Sequence, residues 1–235
     1  MKLKNGIIHE TQKTIIIATG LDRASDNVKT GNMIQIWIMN RNVNPVEAVM
    51  TGEDAQTICK GCPFASGQGC YVNVGQAPLS IWRAYHRGAY AKIEPRDYAR
   101  AFTGRKVRFG AYGNPSMIPL SIIKAIASTC AGWTGYFHDW QVMPKAKADA
   151  YARFFMVSTD TEKSRLHAES NDWRYFHVSP DKPENARECM ADSHQMTCEQ
   201  CLLCAGLGNG KARQKSIWIN PHGSTKKKAI AAGMA

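Results

Sequence analysis

Four cysteines crowd a short segment near the carboxyl end of the 235-residue chain, CMADSHQMTCEQCLLC. Cys189, Cys198, Cys201 and Cys204 have the spacing C-x8-C-x2-C-x2-C. Two-residue gaps let neighbouring thiolates point into one tetrahedral site, and three such ligands in succession are typical of iron–sulfur proteins. Zinc also takes four thiolates, usually from two separated C-x2-C pairs. The spacing therefore favours an iron–sulfur cluster over zinc, and over plain packing of the thiols in a core.

A second group comprises Cys59, Cys62 and Cys70, in the segment CKGCPFASGQGC with the spacing C-x2-C-x7-C. Its glycines and Pro63 predict a loop able to wrap closely around an ion. Three thiolates without a fourth leave three alternatives: an iron–sulfur cluster with one open iron, a zinc site completed by histidine or water, or a shared four-thiolate site with two carboxy-terminal cysteines. The eighth cysteine, Cys130, lies in an apolar helical segment and is predicted to be a packing residue.

The compartment decides how clustered cysteines are interpreted. The amino-terminal apolar run, residues 15–17, is far too short for a signal peptide or a membrane span, so the chain is expected to be cytoplasmic. In a reducing compartment clustered thiols indicate metal binding or catalysis before disulfides. The composition, 44% hydrophobic and 21% charged, predicts one globular domain over residues 1–223 and a basic, flexible tail at 224–235.

The net charge of +11 is concentrated in two segments. Residues 82–108 carry eight basic against two acidic residues, and residues 205–235 carry six against none. Such a concentration indicates a phosphate-rich partner, although a solvated basic face is the alternative.

The basic segment that begins at residue 82 interleaves cations with aromatic rings. Basic groups neutralise phosphates while exposed rings stack on bases, which is the combination expected for single-stranded nucleic acid. Arg83 and Arg87 are predicted to share one helix face, as are Arg96 and Arg100 on the next helix. The alternative is that the rings face the core. The candidate nucleic-acid-binding residues are Trp82, Arg83, Tyr85, Arg87, Arg96, Arg100, Arg105 and Lys106.

The elements that must position these residues alternate between strands and helices. Apolar, β-branched runs bounded by turn residues predict strands at 32–40, 106–113, 133–140, 153–160, 173–180 and 216–223. Helices are predicted at 77–90, 116–129 and 160–170, the last capped by Asp160 or Thr161. This order predicts a parallel α/β fold, open or partly closed into a barrel, with two cysteine-rich loops at 59–70 and 189–204.

Polar residues follow several of the predicted strands. In parallel sheets, functional groups gather where strands end. Each residue taken alone is more often a cap or turn residue, so a site requires several of them to converge. The candidates are Asn114, His138, Asp139, Ser158, Asp160, His177, Ser179 and His222, with His138 and Asp160 the first choices for a barrel mouth.

Several segments resemble a family of cysteine-rich proteins encoded by phages and plasmids, most of them uncharacterised. They are GEDAQTICKGCPF, GCYVNVGQAPLSIWRAYHRGAY, VRFGAYGNPSMIP, GYFHDW, FFMVSTD and CEQCLLC, and the resemblance runs from about residue 30 to 223. The family is distantly similar to radical-SAM barrels, which use S-adenosylmethionine. The resemblance implies a partial β/α barrel with a 4Fe–4S cluster. The chain departs from the usual C-x3-C-x2-C spacing of radical-SAM enzymes, and RFGAYGNP is at best a weak match to their glycine-rich motif.

Two functions of different classes follow. The first is an iron–sulfur protein of a mobile element that binds nucleic acid, single-stranded DNA above all. The second is a radical-SAM-like enzyme with an open cluster iron held by Cys59, Cys62 and Cys70. A structural zinc protein is a third alternative.

Overall fold

The computed structural model of the chain describes residues 3–25, 27–193, 196–207, 214–222 and 226–231. Within these ranges it is a mixed α/β protein with two sheets. The strands are β1 (Gly6–Glu10), β2 (Thr14–Thr19), β3 (Ile34–Asn40), β4 (Ala91–Lys92), β5 (Lys106–Tyr112), β6 (Gly132–Thr134), β7 (Tyr136–Phe137), β8 (Met156–Thr159), β9 (Tyr175–Val178), β10 (Ala186–Glu188) and β11 (Ser216–Ile219). The helices are α1 (Pro45–Thr51), α2 (Glu53–Gln56), α3 (Ala77–His86), α4 (Tyr98–Phe102), α5 (Leu120–Ala127), α6 (Lys145–Ala152), α7 (Glu162–Ser170), α8 (Met190–Ser193), α9 (Cys198–Cys201) and α10 (Lys226–Ala231).

The first sheet has the order β4-β1-β2-β3-β5-β6. The pairs β1–β2 and β2–β3 are antiparallel, whereas the pairs β1–β4, β3–β5 and β5–β6 are parallel. β2 and β3 are mostly apolar and are buried except at Thr19, because both faces of these central strands are covered. The hairpin of β1 and β2 was not among the predicted strands.

The second sheet has the order β10-β11-β9-β8-β7 and is parallel throughout. α6 connects β7 to β8, and α7 connects β8 to β9. These β–α–β units confirm the predicted α/β class with parallel sheets. The described strands do not close into a barrel.

The chain passes from the first sheet to the second at Gly135, which lies between β6 and β7. The Gly135 amide donates to the carbonyl of Cys204 at 2.8 Å, and its carbonyl accepts from the Met156 amide at 3.1 Å. A Cβ at this position would lie 2.8 Å from Cδ1 of Phe155, so only glycine fits without displacing that ring. This break explains why the single strand predicted at 133–140 is two short strands followed by a 3-10 turn at Asp139–Gln141.

The predicted helices are present but shorter than expected. The helix predicted from residue 116 begins at Leu120, after a 3-10 turn at Pro115–Met117 and Pro119. α3 ends at His86 rather than residue 90. α7 begins after Thr161, whose side chain caps the amide of Ser164 in a capping box, so Thr161 is the cap of the two that were predicted.

The basic tail was predicted to be flexible. Its residues 226–231 form α10, while 223–225 and 232–235 lie outside the described residues. Across the described ranges, no helix is both long enough and apolar enough to span a membrane.

Candidate metal and ligand site

The first cysteine loop, residues 58–70, is held by the buried carboxylate of Asp54. Its Oδ2 accepts a hydrogen bond from the Ser66 amide at 3.1 Å, and its Oδ1 accepts one from the Ser66 hydroxyl at 2.9 Å. The Cys59 amide donates to the carbonyl of Asp54 at 2.8 Å, and the Cys70 amide bonds back to the first half of the loop. The loop is therefore folded back on itself.

A buried polar network fixes this loop against the sheet. Asn114 donates from its backbone to the carbonyl of Ile58 at 2.7 Å and from Nδ2 to Oδ1 of Asp139 at 2.8 Å. The Ser116 hydroxyl donates to Oδ2 of Asp139 at 2.8 Å. Gly61 has φ +70°, and a Cβ there would lie 2.8 Å from Cα of Asp139. Asn114 and Asp139, both predicted as strand-end candidates, thus position the loop.

The thiols of the first group influence one another electrostatically. Burial raises the pKa of Cys59 well above its ordinary value, and Cys62, Asp54 and Cys70 raise it further. Burial, with Cys70 next, raises the pKa of Cys62 to about 12. Such thiols stay protonated at neutral pH until a cation offsets the charge of the thiolates.

The second cysteine group contains its own short helix. Thr197 caps α9 by accepting a hydrogen bond from the Gln200 amide, and the Gln200 side chain accepts one from the Thr197 amide. This capping box fixes Cys198 and Cys201 at the two ends of one turn.

Helix α9 is attached to the loop that precedes β3. The Cys198 amide donates to the carbonyl of Lys29 at 2.9 Å. Oε2 of Glu199 accepts from the Asn32 amide at 2.8 Å. Lys106, at the start of β5, donates from Nζ to the carbonyl of Glu199 at 2.9 Å. The carboxy-terminal cysteines are thus bound to the amino-terminal sheet.

The segment around Cys204 is organised by a buried arginine. Arg174 in the second sheet is 4% exposed. Its guanidinium donates to four backbone carbonyls, those of Leu203, Ala205, Gln214 and Lys215. Among the described residues it forms no ion pair, so its charge is satisfied by carbonyl oxygens alone.

The thiols of the second group also lie close together. Burial raises the pKa of Cys204 well above its ordinary value, Cys189, Cys198 and Cys201 raise it further, and Arg108 lowers it. After burial, the cysteines that raise the pKa values of Cys59, Cys62 and Cys204 all belong to the same group as the thiol that they affect. This arrangement favours two separate sites over the shared four-thiolate alternative.

Both groups border one cavity of about 480 Å³ on one face of the parallel strands. The cysteines that line it are Cys62, Cys70, Cys189, Cys198 and Cys204. The walls also include apolar side chains such as Trp37 and Phe64. Two cysteine groups that are distant in sequence thus meet at a space of the size that holds a small molecule.

A polar row crosses the strands that line this cavity. Gln35 of β3, Arg108 of β5 and Thr134 of β6 are register partners on adjacent parallel strands, and all three line the cavity. The buried faces of parallel sheets are normally apolar. A polar row there needs a reason beyond packing.

Aromatic rings surround the guanidinium of Arg108. Its Nη2 lies 2.9 Å from the Tyr71 hydroxyl and 3.4 Å from the Tyr136 hydroxyl, and these two hydroxyls share a short hydrogen bond. The Tyr136 ring stacks on Phe176 with centroids 4.6 Å apart. The partly exposed Tyr71 stacks on His222 at 5.9 Å, at the rim of the cavity.

His138 also lines the cavity. Burial lowers its pKa to about 4, so its imidazole is neutral at pH 7. A neutral imidazole can act as a base, a hydrogen-bonding group or a metal ligand.

The predicted strand-end residues divide between three places. His138, Ser158 and His222 line the cavity of the cysteines. Asn114 and Asp139 belong to the buried network under the first loop. Asp160, His177 and Ser179 line a second, open pocket of about 650 Å³ beside β8 and β9. Of the two first choices, only His138 therefore lines the cavity of the cysteines, while Asp160 contributes electrostatically to the raised pKa of Cys62.

The cysteines fit a metal group in their chemistry but do not form a coordination shell as placed. Among the described residues, no three Cys, His, Asp or Glu side chains are arranged to hold a metal ion. All eight cysteines are half-buried, and none of them forms a disulfide. The Tyr112 hydroxyl is buried without a hydrogen-bond partner, and its pKa is raised by burial and then by Cys59. An unpartnered donor beside thiols fits a group that brings acceptor atoms, such as a sulfide-containing cluster. Cys130 lies outside both groups and packs against the core.

The predicted nucleic-acid-binding arginines are largely on the surface. Arg83, Arg87, Arg96 and Arg100 are exposed, and Arg100 pairs with Asp97 at 3.1 Å. Arg83 and Arg87 lie one turn apart at the end of α3, as predicted. Arg96 lies in a 3-10 turn ahead of α4, so the expectation that it shares a helix with Arg100 is wrong.

The other predicted nucleic-acid contacts are half-buried and bonded within the protein. Trp82 donates from Nε1 to the carbonyl of Asn40 at 3.0 Å, and the Tyr85 hydroxyl donates to Oε2 of Glu10 at 3.1 Å. Arg105 donates to the carbonyl of Gly20 at 2.8 Å. Lys106 contacts α9, as described above. The interleaved Tyr98 and Phe102 are buried in the core.

Sequence reasoning missed several polar residues within the strands and next to the first cysteine loop. Arg108, Thr134 and Tyr136 lie within β5, β6 and β7, and Tyr71 directly follows Cys70. The available signal was an arginine inside the apolar strand segment KVRFGAY, which is costly to bury without a purpose.

Compared with known proteins, the chain matches no family model, no curated protein and no solved structure at a significant level. The chemistry of the site therefore follows from its own residues.

Proposed function

We propose that this protein is an iron–sulfur protein in which Cys59, Cys62 and Cys70 hold a 4Fe–4S cluster at the cavity. The observation that carries the proposal is that both cysteine groups border one cavity lined by Arg108 and the neutral His138. The parallel strands that line it would form an open, partial β/α barrel, consistent with the resemblance to radical-SAM-like proteins.

The three-cysteine group supports an enzyme rather than a purely structural role. A four-iron cluster held by three thiolates has one iron without a cysteine ligand. When bound, such a cluster would supply electron transfer and an open coordination position for a cofactor such as S-adenosylmethionine. The chain itself contributes the cavity, its apolar walls and the polar row of β3, β5 and β6.

The second group suits a structural role. Cys189, Cys198, Cys201 and Cys204 can supply four thiolates, which is a complete set for either a cluster or zinc. Because α9 bonds to the loop before β3, a metal there would stabilise the contact between the two ends of the chain.

Nucleic-acid binding is the second candidate function. It is favoured by Arg83, Arg87, Arg96 and Arg100, which are exposed on neighbouring elements of one chain segment. Single-stranded DNA is the partner that suits the resemblance to proteins of phages and plasmids, in the cytoplasm of a host. This function is compatible with the cluster, since the two use different residues.

The test of the metal is elemental analysis of protein purified without oxygen. Iron and acid-labile sulfide with a brown colour support the proposal, whereas colourless protein containing zinc alone contradicts it. Cys62→Ser should lower the iron content, and Cys201→Ser should lower metal content and soluble yield together. The matched control is Cys130→Ser, which removes a half-buried thiol outside both groups and should leave the iron unchanged. Unchanged iron in Cys62→Ser would remove Cys62 from the ligands.

A further inference from the structure

Arg108 is a cation that lines the cavity without a carboxylate partner. Among the described residues it forms no ion pair, and its hydrogen bonds are to the hydroxyls of Tyr71 and Tyr136. The cation–π contact with Tyr136, with Cζ 5.9 Å from the ring centroid, holds the guanidinium in place but does not neutralise it. A partly desolvated cation of this kind is completed by an anion.

The alternative counter-charges are the thiols of the second group. Arg108 is close enough to Cys204 to lower its pKa. Metal-bound thiolates share their charge with the metal, however, so they are weaker partners for a guanidinium than a free anion. Arg108 also lines the cavity, and a guanidinium has a planar fork of donors that a bidentate anion matches.

A second, independent observation lies on the adjacent strand. Thr134 is in register with Arg108, lines the same cavity and is 3% exposed. Its Oγ1 is buried and has no hydrogen-bond partner. Buried hydroxyls are nearly always bonded, so an unpartnered one at a cavity indicates a ligand atom that completes it.

We infer that the cavity binds a small organic anion whose carboxylate or phosphate is held by Arg108, with Thr134 donating a further hydrogen bond. The remaining surface, which includes Trp37, Phe64 and Phe176, suits an apolar or aromatic body. The volume of about 480 Å³ admits a molecule of that size. The inference rests on the proposed function, because it names the substrate class of the same cavity.

The experiment uses benzoate, phenyl phosphate and the uncharged benzamide as probes. Binding to the anaerobically purified full-length protein is measured by titration calorimetry, with iron content determined on the same preparation. At least one anion should bind, and benzamide should bind roughly tenfold more weakly or worse, because it cannot pair with a guanidinium. The comparison of benzoate with phenyl phosphate distinguishes the two kinds of anion. Binding of none of the probes, or equal binding of benzamide, would overturn the inference.

Variants connect the binding to the two residues. Arg108→Gln should lower the affinity for the anion by roughly 10- to 100-fold while the iron content stays unchanged. Arg108→Lys should recover part of the lost affinity. Arg153→Gln, which removes an exposed arginine at the end of α6, is the matched control and should bind as wild type. Undiminished binding in Arg108→Gln overturns the inference. Loss of iron in that variant also overturns the inference, because Arg108 would then be needed for metal binding by the cysteines.

Thr134→Val tests anion binding independently if the Arg108 variants fail to fold. The substitution removes a hydroxyl without a partner and keeps the shape, so thermal stability should be unchanged or higher while anion affinity falls roughly three- to tenfold. Equal affinity would overturn the role of Thr134 as a ligand contact, and with it the inference. If the purified protein contains no iron but binds the anion, the inference is supported and the proposed function is contradicted. If it contains iron but binds no anion, the proposed function is supported and the inference is contradicted.

Discussion

Asn114 donates a 2.8 Å hydrogen bond from its side-chain amide to Oδ1 of Asp139, and both side chains are buried beneath the first cysteine loop. Asn114 also holds the carbonyl of Ile58 through its backbone. One pair of residues therefore connects the loop that carries three cysteines to the ends of β5 and β7.

Removing the carboxylate of this pair should loosen the loop. Asp139→Ala deletes the acceptor of two buried hydrogen bonds, from Asn114 and Ser116, and should cost about 2–4 kcal/mol of unfolding free energy. Urea unfolding measures the loss, and iron content should fall with it. The exposed Asp181→Ala is the control, and equal midpoints for the two variants would contradict the structural role of Asp139.

The buried Arg174 should be essential for stability. Arg174→Met leaves the carbonyls around Cys204 and the start of β11 without their donor, so it should cost about 2–4 kcal/mol. Arg153→Met, at an exposed arginine, should change stability by no more than about 0.5 kcal/mol. Chemical denaturation of both proteins is the measurement. A stable Arg174→Met variant with full metal content would show that the carbonyls find other donors.

Acid should destabilise the protein through His177. Burial, followed by the charge of Arg165, lowers its pKa from 6.5 to about 4, against the opposing effects of Glu162 and Glu169. Because the unfolded chain binds the proton first, the stability is full above pH 6.5 and is lost as pH falls towards 4, by up to about 3 kcal/mol.

The share of His177 is measured by substitution. His177→Gln should flatten the decline of unfolding free energy between pH 7 and 4.5, whereas the exposed His86→Gln should leave it as in wild type. An undiminished slope in His177→Gln would assign the acid sensitivity to other groups, such as His138, whose pKa is shifted in the same direction.

Nucleic-acid binding should depend on salt through the exposed arginines. The double variant Arg83→Ala/Arg87→Ala should weaken binding of single-stranded oligonucleotides and reduce the salt slope by about 1.4, at about 0.7 per lost phosphate contact. The control, Arg153→Ala/Lys163→Ala, removes two exposed charges elsewhere. An equal effect of both double variants would indicate general charge attraction, and no binding at low salt would remove this function.

Substitution of Trp82 tests whether its ring stacks on a base or packs within the protein. Its indole is half-buried and bonded to the carbonyl of Asn40, so Trp82→Ala should lower the melting temperature, with a cost of about 3–5 kcal/mol if it packs like a core residue. If the ring stacks on a base instead, affinity should fall by roughly 1–3 kcal/mol at constant stability. Melting temperature and affinity measured side by side separate the two.

The parts of the fold that depend on local pattern were predictable. The sequence alone predicts the cap of α7 and the apolar runs of β3, β5, β8, β9 and β11, because strand periodicity and capping are local properties. The break at Gly135 was not predictable in this way. It depends on the ring of Phe155 and on Cys204, which approach only in the folded chain.

The residues of the site were likewise predictable only where the signal is local in the sequence. The cysteines are recognisable by spacing, but Arg108 and Thr134 become neighbours only through the register of β5 and β6. Asn114 and Asp139 were selected as polar residues at strand ends, yet their partners are each other. The sequence signals which residues are unusual, and the register determines what they do.

The attachment of Cys198 and Glu199 to residues 29–32 has a consequence for synthesis on the ribosome. The loop before β3 emerges early, but its partner is made only after most of the chain. At about 5–20 residues per second, the delay is on the order of ten to thirty seconds. A nascent chain arrested before Cys198 would leave the loop before β3 without this contact, exposed to chaperones and proteases. The contact can form only after Cys198 and Glu199 have left the ribosome.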